Sequence, residues 1–257
     1  MPRFLIICTA LLVLAPGVWS QPTPNAVGIP TTAAGNRLQG PVKEMFLYGE
    51  NLESEAHWTE YYRFDSDGHL FEYEEWSYGG GNRYLFHYAE GRLVKIDVVG
   101  ENMPETAWLY VYDSNGCPQW QIFHDQNTAD TVKYQCDSLC RIVEEREGHL
   151  TRRYSYDAHG RIATQSFDDA ITRIEYNDHG LLSKKITQSN GFTFTRTETY
   201  TYNAEGSLIQ YEQTLSNDDE PLSYQLWGYT YDRYGNWLTV TGNGYTQTRT
   251  ITYYEEK

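Results

Sequence analysis

The sequence predicts an all-β fold: a repetitive antiparallel β-meander of hairpin units that forms one curled, twisted sheet with an aromatic inner face. Three observations carry this prediction. A turn segment with the outline of residues 154–162 recurs every 20 to 29 residues, aromatic residues alternate before each turn, and Asp or Asn and Gly hold fixed positions within it. Such self-similarity is typical of repeat architectures. With two strands per unit, we expect on the order of 16 short strands.

The unit itself explains the hairpin. Tyr154 and Tyr156 alternate as side chains on one face of a strand do, and Asp157 opens a turn by bonding nearby backbone N–H groups. Gly160 takes the left-handed position and Ile162 begins the return strand. The aromatic position before each turn is held by Phe64, Tyr88, Tyr112, Cys136, Tyr156, Tyr176, Tyr202 and Tyr231. The residues to which we assign a purely structural turn role are Asp65, Gly68, Asp113, Gly116, Asp157, Gly160, Gly180, Gly206, Asp232 and Gly235.

The N-terminal region predicts export. Residues 1–20 combine an early Arg3, an apolar run and small residues suited to cleavage before Gln21, which is typical of a secretory signal peptide. Residues 21–40 are rich in Pro, Thr, Ala and Gly and predict a flexible linker. Residues 41–257 form the β domain, so we expect a secreted or periplasmic protein with no membrane-spanning segment after cleavage.

The net negative charge limits which classes of partner the protein can bind. A formal net charge of −15, with the acidic residues scattered along the chain, gives a poor surface for nucleic acid or anionic lipid, because both require basic patches. The partner is therefore expected to be an unknown protein or glycan at the cell envelope.

Three cysteines remain after signal cleavage: Cys117, Cys136 and Cys140. In an oxidising compartment one disulfide and one odd thiol are expected, and the sequence leaves the pairing open. Cys136 and Cys140 flank a single turn, so a disulfide between them is possible.

Side chains in a strand alternate between the two faces of the sheet, so residues an even number of positions from the aromatic residue before each turn share its face. This parity places all six tryptophans of the mature chain on the inner, tyrosine-rich face, which must be covered because it is too apolar to remain in water.

On the other face, the first repeats are more apolar than the later ones. We take this outer patch as the candidate binding surface, unless residues 41–56 fold over it as a cap. Its residues are Tyr61, Phe71, Tyr73, Leu85, Leu109 and Val111.

Catalytic and metal-binding motifs are missing from the sequence. The turns that begin at Asp65 and Asp113 look like the start of a calcium loop but lack its later ligands, and His159 and His179 have no ligand partner at a suitable spacing. Neither a nucleophile with its base nor a phosphate-binding loop is present. We therefore predict no enzyme activity, no cofactor and no metal.

The outline Tyr-x-Tyr-Asp-x-x-Gly-Arg-Ile/Leu, as in residues 154–162, resembles the YD repeat of RHS-type proteins, and the ending at residues 229–237 is similar to the last repeat of small secreted bacterial members. The resemblance covers about residue 41 to the C-terminus. It implies a bacterial surface or periplasmic repeat protein of a kind often described as carbohydrate-binding. The toxin role of the large members is not implied, because the autoproteolytic segment and the passenger domain are missing.

Two functions follow as hypotheses. The first is a secreted, non-enzymatic β-repeat scaffold or interaction module of the bacterial cell envelope. The alternative is a carbohydrate-binding protein that uses surface aromatics. The position of the aromatic rings separates the two, because sugar binding requires Trp or Tyr on an accessible face.

Overall fold

A computed structural model gives the fold, and all of its regular elements are β-strands. The predicted signal peptide and residues 21–37 of the predicted linker lie outside the described residues. No helix in the described part of the chain is long and apolar enough to cross a membrane. The described residues are 38–52, 54, 56–77, 80–100, 106–124, 129–189, 191, 195–216 and 221–255.

Eighteen strands lie within these ranges. In chain order they are β1 (Val42–Asn51), β2 (His57–Phe64), β3 (Leu70–Ser77), β4 (Gly80–Ala89), β5 (Arg92–Gly100), β6 (Thr106–Tyr112), β7 (Pro118–His124), β8 (Ala129–Cys136), β9 (Ile142–Glu147), β10 (Leu150–Tyr156), β11 (Ile162–Phe167), β12 (Ala170–Tyr176), β13 (Leu182–Ser189), β14 (Thr195–Tyr202), β15 (Leu208–Leu215), β16 (Leu222–Tyr231), β17 (Trp237–Gly242) and β18 (Tyr245–Tyr253).

Each strand pairs antiparallel with the next one in the chain, and β18 returns to pair with β1. The sheet therefore closes into an up-and-down barrel, which corrects the expectation of one curled, twisted sheet. The segment expected to cap the first repeats, residues 41–56, instead supplies β1, the strand that joins β18 to β2. Closure is favourable because it removes both rows of unpaired backbone groups that an open sheet would leave at its edges.

The last residues of the predicted linker are ordered against the final turn. Leu38 is 5 % exposed and belongs to the core. The Gln39 amide donates to Asn236 Oδ1 at 2.7 Å, and Asn236 Nδ2 donates back to the Gln39 carbonyl at 2.9 Å. Residues 38 and 39 thus bind the last repeat, which helps to hold the two ends of the barrel wall together.

The repeat turns all lie at one end of the barrel, because each joins an even-numbered strand to the following odd-numbered one. Asp157 shows their chemistry: its Oδ1 accepts from the backbone amides of His159 and Arg161, both at 2.9 Å. Gly160 has a φ of 78° in the same turn. Asn177 forms the same two bonds in the next turn, so the side-chain oxygen rather than the charge defines the geometry.

A second set of contacts links consecutive turns in the middle of the chain. The guanidinium of Arg161 pairs with Asp157 at 2.7 Å and lies 4.3 Å from the ring centroid of Tyr176 in the following repeat. The hydroxyl of Tyr176 donates to the carbonyl of Ile162 at 3.0 Å. Ion pair, ring contact and hydrogen bond therefore form a two-step ladder at this end of the barrel, in which Arg141 and Tyr156 make the first step.

A β-bulge follows each turn and reverses which face of the sheet the later side chains of the return strand point to. Tyr156 pairs with Ile162, but Ser155 pairs with Thr164, so Ala163 is the extra residue. Beyond it the side-chain alternation is inverted relative to a simple count from the turn. The aromatic and aliphatic residues next to the turns do face inward as predicted, as the 2 % exposure of Ile162 shows.

The bulges overturn part of the parity prediction. Tyr73 was assigned to the outer patch but faces inward and is 2 % exposed, because it lies beyond the bulge at Phe71. Trp76 and Trp120 lie beyond bulges in their own strands and face outward. Trp227 also faces outward and is 48 % exposed, because β16 contains a further irregularity beside Gly228, whose φ is 67°.

The cysteine pairing differs from the one considered above. Cys117 is bonded to Cys140, with 4.9 Å between their Cα atoms, and Cys136 is a free thiol. Cys117 occupies the position that Arg161 holds in its own turn, and Cys140 occupies the next turn's glycine position with a φ of 60°. The disulfide thus joins two neighbouring turns at a step where cysteines occupy both the arginine and the tyrosine positions. Cys136 replaces the tyrosine, and its thiol donates to the Pro118 carbonyl at 3.4 Å.

The turn geometry predicts a specific sensitivity at Gly160. Gly160→Val should lower the free energy of unfolding by more than about 1 kcal/mol, because a β-branched residue is strained at positive φ. The cost should come from the backbone alone, since the nearest atom to an added Cβ would be Arg141 Nη1 at 3.7 Å. Denaturant unfolding measures the effect.

His159→Ala is the matched control in the same turn. Its side chain is exposed, and its structural bond uses the backbone amide, which alanine retains. Equal losses of stability for the two variants would contradict the turn geometry.

Candidate functional site

The predicted outer patch is only partly assembled. Phe71 and Val111 are each 40 % exposed on the outside of the barrel, while Tyr61, Leu85 and Leu109 face outward and are partly buried. The patch is interrupted by charged side chains, because the outward Leu85 pairs with Glu72 on one side and with Asp97 on the other. With Tyr73 inside the barrel, five of the six predicted residues remain on this face, and they do not form one apolar surface.

The inner face holds a row of polar residues that the sequence analysis missed. Four cross-strand pairs succeed one another around the wall: Arg249 pairs with Leu47, Leu47 with Glu60, Glu60 with Glu75, and Glu75 with Asn82. Their side chains all point inward, because directly opposed residues share a face. A row with two carboxylates, an amide and a guanidinium is therefore built into an otherwise aromatic wall. We call it the inner polar row.

Tyrosine hydroxyls hold the two carboxylates of this row. Tyr62 donates to Glu60 Oε2, and Tyr84 donates to Glu75 Oε1 at 2.9 Å. Tyr73 reaches Glu75 Oε2 at 3.2 Å. Burial raises the pKa of Tyr62, Tyr73 and Tyr84, and the neighbouring carboxylates raise it further, so these hydroxyls remain protonated donors.

Glu60 is 4 % exposed and carries the least solvated carboxylate of the row. Burial raises its pKa, the hydrogen bond from Tyr62 and the charge of Arg249 lower it, and the charge of Glu75 raises it; the net shift is upward. The sequence offered one signal for this site. Glu60 lies an even number of residues before Phe64, so simple parity already placed a carboxylate on the inner face.

Arg249 ends the row without a carboxylate partner. Its guanidinium carbon lies 3.5 Å from the ring centroid of Trp237, and its buried Nε has no hydrogen-bond partner among the described residues. Burial lowers its pKa to about 10, while Tyr62, Glu60 and Tyr229 raise it. At neutral pH the group is still a cation, and it lies against the indole ring of Trp237.

Two other inward cations are paired. Arg152 lies 3.4 Å from Glu145, and Arg196 lies 2.6 Å from Glu198. The inner side chains of β8 to β13 are mostly only partly buried, whereas most of those of β1 to β5 are buried, such as Ile96 at 0 % exposure. The inner face therefore combines a packed side with a side that keeps contact with solvent.

The first repeat turn brings three possible metal ligands together. Ligand atoms of Asp65, Asp67 and His69 lie within 4.8 Å of one another. The turn already uses these groups, since Asp65 Oδ1 accepts two backbone amides and Asp65 Oδ2 lies 3.2 Å from His69 Nδ1. His69 in turn lies 5.0 Å from the Tyr88 ring, so it takes the place that arginine holds in later turns.

Comparison with known proteins gives similarity at the level of structure only. No protein-family model matches the chain, and no curated protein matches it. A chain of the TcdB2-TccC3-Cdc42 complex is similar over 72 % of this chain and 12 % of its own length, with 14 % identity and a TM-score of 0.39. TcdB2-TccC3 without its hypervariable C-terminal region gives the same values. This chain thus spans about 12 % of those chains.

A porin-like protein from Bacteroides uniformis is similar over 83 % of this chain and 99 % of its own, with 12 % identity and a TM-score of 0.48. At such identities the likeness concerns chain fold, and it assigns neither activity nor ligand.

The burial of Glu60 predicts a pH-dependent stability. Its pKa is raised in the folded state, so the folded protein holds the proton more tightly than the unfolded chain does. Stability is therefore lost as the pH rises from the unfolded pKa through the folded one. Glu60→Gln, which still accepts from Tyr62, should match the parent at pH 4 and equal or exceed its free energy of unfolding at pH 7.

Glu144→Gln is the control with the opposite sign. Arg146 and Arg153 lower the pKa of Glu144 on the outer face, so loss of its charge should reduce stability at pH 7 and have little effect at pH 3. The two pH profiles of denaturant unfolding check the assignment. A Glu60→Gln protein that is less stable than the parent at pH 7 would contradict it.

Proposed function

We propose that this protein is a secreted, non-enzymatic β-repeat barrel that acts as an interaction module of the bacterial cell envelope. The observation that carries the proposal is the composition of the inner face, where tyrosine hydroxyls, carboxylates and guanidinium groups line a wall that keeps partial solvent access on β8 to β13. A few polar groups fixed within apolar surroundings are what small-ligand sites commonly offer.

The wall is suited to hold such groups in place. Two successive pairs of turns are tied by the ion pair, ring contact and hydrogen bond described for Arg141 and Arg161, and the disulfide between Cys117 and Cys140 joins the pair of turns just before them. Rigid binding groups lose little conformational entropy when a partner binds. The ladder therefore supports a scaffold that presents side chains in fixed positions.

The outer face supports export into water. Glu144 there pairs with Arg146 at 2.5 Å and with Arg153 at 2.9 Å, and Glu72 lies between Arg63 and Arg83. Wall strands that face lipid carry an apolar band instead of ion pairs. We therefore propose a location outside the cell or in the periplasm, which the predicted N-terminal signal peptide also supports.

Carbohydrate binding is the second candidate, and the outward tryptophans favour it. Trp76 is 45 % exposed and Trp227 is 48 % exposed, although parity had placed both inside. An exposed indole offers a flat apolar face and a polar N–H edge, a combination that suits the two kinds of surface on a sugar ring.

A glycan array with the mature protein tests both the interaction module and the carbohydrate-binding alternative. If sugars bind at the outer tryptophans, Trp76→Ala or Trp227→Ala should reduce the signal at least tenfold, while Ile171→Ala should leave it unchanged. Ile171 is the matched control, because it is also an exposed apolar residue of a strand, at 48 % exposure.

Mass spectrometry of the recovered glycans separates binding from catalysis. Unaltered glycans agree with a non-enzymatic module, and cleaved glycans would refute it. If the array gives no signal, the carbohydrate-binding proposal fails. Co-sedimentation of the protein with isolated cell envelopes then tests whether it is an interaction module of the envelope. Failure to bind in both assays would overturn the proposal.

A further inference from the structure

Three positions of the repeat approach one another at each step of the turn ladder. The side chain at the arginine position reaches the next repeat at two places. Arg161 lies 4.3 Å from the ring centroid of Tyr176, and its Nη1 lies 3.4 Å from the place that a Cβ on Gly180 would take. Arg141 makes the same two approaches to its own next repeat, at 4.4 Å and 3.7 Å. The arginine position is therefore close to both the tyrosine and the glycine position of the following repeat.

One step earlier, cysteine holds all three of these positions. Cys117 has the arginine position, Cys136 the tyrosine position and Cys140 the glycine position, and they are the only cysteines outside the predicted signal peptide. The disulfide between Cys117 and Cys140 confirms the contact between the first and the third position. The Cys136 Sγ lies 3.4 Å from the carbonyl oxygen of Pro118, the residue that follows Cys117. A free thiol thus lies next to the chain segment that carries a disulfide, and we call the three residues the cysteine cluster.

The cysteine cluster lines a cavity of about 410 Å³, which is also lined by Pro118 and Tyr134. All three cysteines are partly exposed, so a small reagent in solution has access to them. Cysteine is smaller than the tyrosine at the equivalent position of the next repeats, so the Cys136 Sγ has room to rotate between its staggered positions. The cavity therefore allows the sulfur atoms to change partners.

We propose that the cysteine cluster is a thiol–disulfide exchange site in which Cys117 is shared by Cys136 and Cys140. Cys117 is the shared residue because the arginine position is the one that approaches both of the others. The Cys136 thiol loses its proton and the thiolate attacks Cys117 Sγ. A bond between Cys136 and Cys117 forms, the bond between Cys117 and Cys140 breaks, and Cys140 leaves as a thiolate that takes up a proton. One disulfide and one thiol are present before and after, so the step needs no oxidant, no reductant and no substrate.

The charges around Cys136 keep its thiol protonated in the resting form. Burial raises the pKa of Cys136, and the carboxylates of Asp137 and Asp113 raise it further. Arg141, the cation of this turn, is paired with Asp137 at 2.6 Å. The Tyr156 hydroxyl of the next strand is neutral, because burial raises its pKa as well. Exchange requires the thiolate, so it proceeds in mild base and stops in acid.

Alkylation of the mature protein with iodoacetamide at pH 8, followed by an acid quench and peptide mapping, tests the exchange. Alkylation of a sulfur traps the form in which that sulfur is free. Chains alkylated at Cys140 and bonded between Cys117 and Cys136 should therefore accumulate beside chains alkylated at Cys136, with one alkyl group per chain. Cys136→Ser is the matched control, because it lacks the attacking thiol and should take up no alkyl group. Alkylation of the parent at Cys136 alone would overturn the proposal.

Two further variants show which sulfur is shared. Cys140→Ser removes the resting partner, so after oxidation with glutathione disulfide Cys117 should be bonded to Cys136 and no free thiol should remain. Cys117→Ser removes the shared sulfur, so Cys136 and Cys140 should not become bonded to each other. Two free thiols in the first variant, or a Cys136–Cys140 bond in the second, would overturn the assignment.

Thermal unfolding shows whether each cysteine variant is folded. If one of them is not, the peptide map of the parent protein decides the question, since it requires no substitution. The exchange site does not rest on the proposed function, because the step involves only residues of this chain. Loss of glycan and envelope binding would leave the exchange unchanged, and absence of exchange would leave that binding unchanged.

Discussion

The pairing of β1 with both β18 and β2 is the constraint on which the rest of the structure depends. Eight hairpin units in series would otherwise leave two strand edges with unpaired N–H and C=O groups, which attract other chains. Residue 42 faces residue 253 at one end of this pairing, and Asn51 faces Tyr245 at the other, so the closing strand is bonded along its whole length. Closure also gives the tyrosine-rich face an interior to line.

The closed wall brings together residues far apart in the chain. Arg249 of β18 and Glu60 of β2 share one inward row only because β1 lies between them. The same closure places Asn236 of the last turn against Gln39, and the Tyr254 hydroxyl against the Phe64 carbonyl at 2.7 Å. The inner polar row is therefore a product of topology, and none of the repeats contains it by itself.

Much of the fold could be predicted because each turn encodes its own geometry. Asp157 and Gly160 behave as their residue types require, and Ile162 is buried as the start of the return strand. The facing of residues beyond each bulge could not be predicted in this way, since a single extra residue inverts the alternation; Tyr73 and Trp76 are the clearest cases.

The candidate site was largely beyond sequence reasoning for a related reason. The pairing of Arg249 with Leu47 joins residues 202 positions apart, which no local pattern indicates. The disulfide was nearer to prediction: superposing the repeats puts Cys117 in the position of Arg161, whose side chain reaches toward the next turn. Comparing equivalent positions between repeats, rather than spacing within one turn, held the necessary signal.

Amide hydrogen exchange of β1 and β18 tests the closure of the barrel most directly. In the closed barrel, the amides of both strands that point toward each other are hydrogen-bonded, so they should exchange as slowly as those of the central strands β11 and β12. Rapid exchange at every second residue of β1 and β18, with protection elsewhere, would show two free edges and would contradict the closed barrel.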